Sequence, residues 1–132
     1  MNEADMSLFL DSFESCMRDD RFVRVFYDKF LGSSEEVRAL FAKTDFALQR
    51  RALKASLYVM VSASARRQSE LSTLSELAER HRALHIKPHH YELWMQCLLS
   101  TVAQCSGRHD AEVARVWTDA FRSGIDYMKA SV

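Results

Sequence analysis

The stretch Leu77-Ala78-Glu79-Arg80-His81-Arg82-Ala83-Leu84-His85-Ile86-Lys87-Pro88-His89-His90-Tyr91 holds four of the chain's 5 histidines. Leu74, Leu77, Ala78 and His81 recur at helical spacing, which predicts a helix over about Ser69 to Leu84 with His81 on its apolar stripe. An imidazole on such a stripe needs polar partners, because a buried polar group without them is costly. Pro88 suits the first turn of a following helix, where its missing N–H would have had no partner anyway. That helix shows Tyr91, Trp94, Met95, Leu98, Leu99 and Val102 on one face.

The same periodicity extends outward in both directions. Met6, Phe9, Leu10, Phe13 and Met17 predict a helix over about Glu3 to Met17. Asp19-Asp20 suit the start of a second helix, since carboxylates favour a helix N-terminus. It carries Phe22, Val25, Phe26 and Phe30 and stops near Gly32-Ser33-Ser34. A short segment, Glu35 to Phe41, follows. Thr44 and Asp45 are candidate caps for a long helix from about Phe46 to Ala65, with an inner stripe of Gln49, Leu53, Leu57, Met60 and Val61. Gly107 interrupts the helix begun at Pro88, and Asp110 suits the cap of a last one bearing Val113, Val116, Trp117, Phe121, Ile125 and Met128. No stretch alternates with period two. The expected class is all-α, with six or seven helices.

Composition agrees. Residues 1–132 are expected to form one domain, because domains cluster near this size. With 48% hydrophobic residues and a net charge of zero, the chain is not disordered. The 18 basic side chains matched by 18 acidic ones argue against a nucleic-acid partner. Only 3 Gly and 1 Pro are present, too few for the turns of an all-β fold. Cys16, Cys97 and Cys105 form no CxxC pair, and an odd count argues against a disulfide framework. No apolar run is long enough to span a membrane, and the acidic start lacks a leader's apolar core, so a cytoplasmic location is expected.

Phosphate-binding, nucleophile-elbow and HExxH motifs are absent. The histidines therefore carry the chemistry. His81 and His85 stand four apart, a ligand spacing for zinc if their helix continues. Pro88 disrupts that helix, and no carboxylate or thiol stands at a local spacing that would complete four ligands. His81 alone would read as a core histidine bonded to a backbone carbonyl, or as an axial ligand of haem iron.

Other spacings favour the second reading. Phe41 stands fourteen residues after the tyrosine of Phe26-Tyr27, and Leu53 stands four after Gln49. Ile86 follows His81 by five, His90-Tyr91 by nine and ten, and Trp117 lies early in the last helix. From about Arg21 to Met128 the chain thereby resembles the single-domain bacterial globins and is similar to the haem domains of flavohaemoglobins. The resemblance implies a three-over-three sandwich of helices around haem b, iron protoporphyrin IX. It also implies His81 as the iron ligand, Tyr27 and Gln49 as distal hydrogen-bond donors, Phe41 stacked on the porphyrin and Leu53 limiting the space above the iron. Ile86 and Tyr91 belong to the proximal motif. The second ring nitrogen of His81 needs an acceptor, and the carbonyl near Leu77, one turn back, would serve. Arg80 and His85 flank His81 and are candidate partners for the haem propionates, with ordinary surface as the alternative.

Three departures matter. The reductase domains of flavohaemoglobins have no counterpart here, so any turnover would need an external reductase. The place of the family's proximal glutamate falls at about Val132, without a carboxylate, which favours reversible binding over peroxidase chemistry. The stretch between Phe41 and Gln49 is slightly short, which leaves Arg50 or Arg51 as alternatives to Gln49. No histidine lies between Phe46 and Ala65, so a second axial histidine from that helix is not expected. The implied function is reversible binding of oxygen, carbon monoxide and nitric oxide, for oxygen storage or transport. Oxidation of nitric oxide to nitrate, a dioxygenase activity, would depend on the external reductase. The rival readings are a haem-based gas sensor signalling through a partner protein, and a globin-like module without haem.

Overall fold

Glu3, Glu35 and Phe46 open helices at points where the sequence supplies a side-chain acceptor. The computed structural model describes residues 2–64, 68–106 and 111–130, the side chains at 62–74 excepted. Among these residues there are seven helices and no strand: α1 Glu3–Arg18, α2 Phe22–Ser33, α3 Glu35–Leu40, α4 Phe46–Ser64, α5 Gln68–Ala83, α6 Pro88–Ser106 and α7 Ala111–Ala130. Asn2 caps α1 by accepting from the Asp5 N–H at 2.8 Å. Ser34 caps α3 by accepting from the N–H groups of Glu36 and Val37. Asp45 caps α4 through Ala47 and Leu48. Such caps satisfy backbone donors that have no partner inside the helix. Gly107 and Asp110, with the end of the long helix at Ala65, lie outside the described residues.

The start of α2 departs from expectation. Asp19-Asp20 do not open it; Arg21 precedes its first residue, without a side-chain cap. The Asp19 carboxylate instead accepts from the Arg21 backbone N–H at 2.9 Å and from its guanidinium at 2.8 and 3.1 Å. It therefore shapes the corner between α1 and α2. The guanidinium bond holds the Asp19 pKa down at about 2. An acidic pair reads equally well as a first turn or as the turn before it, and only the partner decides.

α1 packs on α6 and α7, α2 on α6, and α6 on α7; α4 packs on α5 and α7, and α5 on α7. This sets α1, α4 and α5 against α2, α6 and α7, three helices over three, with α3 attached to α2. Trp117 of α7 lies fully buried at the centre of the core. Phe9 meets its ring edge-on at 5.3 Å, Phe121 stacks at 5.6 Å, and Phe13 and Phe22 close around it. Its indole N–H donates to Ser12 Oγ at 2.8 Å, and Ser12 in turn donates to backbone carbonyls of its own helix. A buried indole N–H needs such an acceptor. Gly124 lets α7 approach α4: a Cβ there would stand 3.0 Å from the Met60 methyl.

Ser12→Ala leaves the indole N–H buried without an acceptor and should destabilise the fold by about 1–3 kcal/mol. In a Trp117→Phe background the same change should cost far less, a difference that urea denaturation of the four proteins would measure.

Candidate functional site

The chain leaves α5 through a local hydrogen-bond motif. The Ile86 N–H bonds back to the His81 carbonyl at 3.3 Å, and the His85 N–H to the Arg82 carbonyl at 3.0 Å. His85 has φ 61, the left-handed conformation usual for glycine. These are the two crossed bonds and the left-handed residue of a Schellman ending, and Ile86 supplies the apolar contact that accompanies it by packing against the core. The five-residue gap from His81 to Ile86 thus has a physical cause. Ile86 closes the helix on the His81 carbonyl. The shared helix face imagined for His81 and His85 does not form, because α5 ends at Ala83.

The His81 ring is held one turn back. Nδ1 lies 2.8 Å from the Leu77 carbonyl oxygen. A carbonyl only accepts, so Nδ1 carries the proton and Nε2 keeps its lone pair. Burial lowers the His81 pKa, against the opposing pull of the Leu77 bond, and the Arg80 charge lowers it further. The ring is therefore neutral near pH 7, the form that binds metals. Tyr91 of α6 lies beside it, ring centroids 6.1 Å apart and planes tilted by 38°. Burial pushes the Tyr91 phenol up to about 12, so it stays protonated. Arg80 and His85 are both exposed at this corner.

A second group gathers on α2, α3 and α4. Phe26 is fully buried and lies edge-on to Trp94 at 5.8 Å. That contact turns the neighbouring Tyr27 toward α3 and α4, where its ring meets Phe41 and Phe46, each at 5.6 Å. Gln49 Nε2 donates to the Tyr27 hydroxyl oxygen at 3.0 Å. The Tyr27 oxygen accepts that bond, so its own proton remains to be donated, and the Gln49 amide retains a second N–H. Burial raises the Tyr27 pKa and the Gln49 bond lowers it; burial is the larger effect. Leu53, one turn beyond Gln49, is buried. Gln49, and not Arg50 or Arg51, makes the bond to Tyr27.

Phe46 is the member of this aromatic group that sequence reading missed. It was read only as the first residue of a helix, yet it packs on both Tyr27 and Phe41. Its position three residues before Gln49, on the same helical face, was the available signal. His90 also acquires a role. Its Nδ1 accepts from the Lys87 N–H at 3.1 Å, so it plays the part that glutamate usually takes in a capping box at the start of α6.

This donor set suits an iron porphyrin. It offers one neutral imidazole with a free Nε2, apolar aromatic walls, and two hydrogen-bond donors beside them. The family model for globins matches residues 24–128. The structure is similar to that of protein PA3967 from Pseudomonas aeruginosa PAO1, itself described as structurally highly homologous to a human hemoglobin. The TM-score is 0.89, with 33% identity over 96% of this chain and 97% of that one. No curated protein matches. The chain belongs to the globin family, a family of haem-binding proteins. No helix among the described residues is long and apolar enough to cross a membrane.

The left-handed His85 yields a direct test. His85→Gly should raise stability by up to about 1 kcal/mol, since glycine adopts this conformation without strain. A β-branched His85→Val should lower it by about 1–2 kcal/mol, read from urea midpoints. Gln49→Leu removes a bond that favours the phenolate, so the Tyr27 pKa should rise further, visible by carbon NMR of ring-labelled tyrosine.

Proposed function

We propose that this globin holds haem b through His81 and binds oxygen reversibly, with carbon monoxide and nitric oxide as further ligands. The observation that carries the reading is the Gln49-to-Tyr27 hydrogen bond at 3.0 Å, made 22 residues apart in sequence. It joins two donors on separate helices and leaves each a proton to give. When bound, haem supplies a ferrous iron able to take a diatomic gas.

His81 Nε2 would provide the protein's bond to the iron, with the Leu77 carbonyl holding the ring's orientation and tautomer. Phe41, Phe46, Leu53, Ile86 and Tyr91 would line an apolar pocket that excludes water. Arg80 and His85 would meet the propionates at the exposed rim. Tyr27 and Gln49 would donate to a ligand that draws electron density, which favours oxygen over carbon monoxide. Each bond is worth about 1–2 kcal/mol, and about 1.4 kcal/mol is tenfold in affinity.

Oxidation of nitric oxide to nitrate is the enzymatic extension of this reading. It joins one nitric oxide, one dioxygen and one electron into nitrate, and the electron would come from a separate reductase. Three free cysteines fit a reducing compartment such as the cytoplasm.

Absorption spectra of the ferric, ferrous and gas-exposed protein test the assignment. An intense band that shifts with each gas is expected. In His81→Gly it should be lost or displaced and restored by added imidazole; an unchanged spectrum would exclude His81. Tyr27→Phe and Gln49→Leu should each speed oxygen release roughly tenfold and leave carbon monoxide release nearly unchanged. Equal effects on both gases would remove the donor role. Nitric oxide consumption no faster with the oxygenated protein than without it would remove the enzymatic extension.

A further inference from the structure

The start of α6 meets the start of α3 on the surface beside the pocket. Lys87, His89 and His90 stand there around Glu36, which is more than fifty residues earlier in the chain. His89 Nε2 lies 3.4 Å from Glu36 Oε1, and His90 Nε2 lies 3.8 Å from Glu36 Oε2. One ligand atom from each of Glu36, His89 and His90 falls within 4.8 Å of the other two. The two imidazole rings are 4.3 Å apart and tilted by 54°.

His90 is the unusual member. It is only 4% exposed, and its Nε2 is the one buried side-chain polar atom among the described residues without a hydrogen bond. The Glu36 oxygen is too distant to supply one. Burial lowers the His90 pKa, with the His89 and Lys87 charges acting the same way and the Glu36 carboxylate opposing them. A neutral imidazole, buried and aimed at a carboxylate and a second imidazole, is a ligand that need not first shed a charge.

We infer that Glu36, His89 and His90 form a binding site for a divalent transition-metal cation such as Zn(II), with water completing the coordination. Two imidazoles and one carboxylate are a donor set that zinc accepts, with a fourth position left open. A tetrahedral site with bonds near 2.0–2.1 Å places its ligands roughly 3.4 Å apart, close to the separations around Glu36. Calcium and magnesium prefer all-oxygen shells and fit this set poorly.

Three features weaken the affinity. The Lys87 ammonium already occupies Glu36 Oε2 at 2.9 Å and must yield it. Two helix N-termini converge here, and their dipoles disfavour a cation. Lastly, the Lys87 N–H donates to His90 Nδ1, so Nε2 carries the ring proton before metal binds. Metal at Nε2 moves that proton to Nδ1 and breaks the Lys87 N–H bond. The ion would tie α3, which Phe41 follows as its C-cap, to the turn of α6 that carries Tyr91. It would thereby join the two walls of the pocket, although the site itself does not depend on haem.

Calorimetric titration of the purified protein with Zn(II) should show one saturable site. Glu36→Gln and His89→Ala should each weaken it about tenfold or more, since even outer-shell changes cost that much. His90→Gln should do the same and keep the fold, because glutamine can still accept from the Lys87 N–H. Lys87→Gln should tighten binding several-fold by removing a competing charge. In nitrogen–proton spectra the Lys87 amide should shift on zinc addition. His81→Ala should bind zinc as the parent does, which separates this site from the haem iron. Absence of saturable binding, or binding unchanged by Glu36→Gln, His89→Ala or Lys87→Gln, would overturn the proposal. Zinc binding lost in His81→Ala would place the ion elsewhere and overturn it equally.

Discussion

The Trp117 indole, bonded to Ser12 and enclosed by Phe9, Phe13, Phe22 and Phe121, joins α1, α2 and α7 at one centre. Aromatic rings bury large areas and favour particular mutual angles, so a cluster of five restricts how its helices can cross. The consequence reaches the site through α2. Phe22 belongs to this cluster, and one turn later Phe26 packs on Trp94 of α6. With that face of α2 committed to the core, the adjacent Tyr27 must turn toward α3 and α4. The Tyr27 hydroxyl is therefore placed by packing on the other side of its own helix.

On the other side of the pocket the determinants are local. The ring of His81 is held by the carbonyl one turn before it, and the helix end is closed by two amides just after it. The chain then re-enters a helix at Pro88, with His90 closing the cap. Within ten residues the backbone ends one helix, turns and starts another, and the N–H groups of Leu84, His85, Ile86 and Lys87 each find an acceptor. Such an arrangement leaves the His81 ring few conformations. A ligand held in one orientation and one tautomer loses less entropy on binding metal than a mobile one.

How far the sequence could be read follows this contrast. The helices were legible because apolar residues recur with the helical period and because Asp45 and Pro88 stand at starts. The Leu77 acceptor was legible because a carbonyl four residues back is always near a helical side chain. Asp19 was misread because a carboxylate satisfies a helix start or a preceding turn equally well, and its choice depends on Arg21. Phe46 was missed because an aromatic at a helix start declares nothing about which neighbours it will meet. The Glu36 cluster was invisible, since Glu36 stands more than fifty residues before His89 and His90.

By itself the sequence determined the all-α class, most helix bounds and the Leu77 acceptor of His81. These rest on interactions between residues a few positions apart, whose geometry the helix imposes whatever surrounds it. Tertiary structure alone decided that Gln49 and not Arg50 or Arg51 meets Tyr27, that Phe46 packs on Tyr27, and that Glu36 faces His89 and His90. Those pairings link different helices, so they exist only once the core has set how the helices cross.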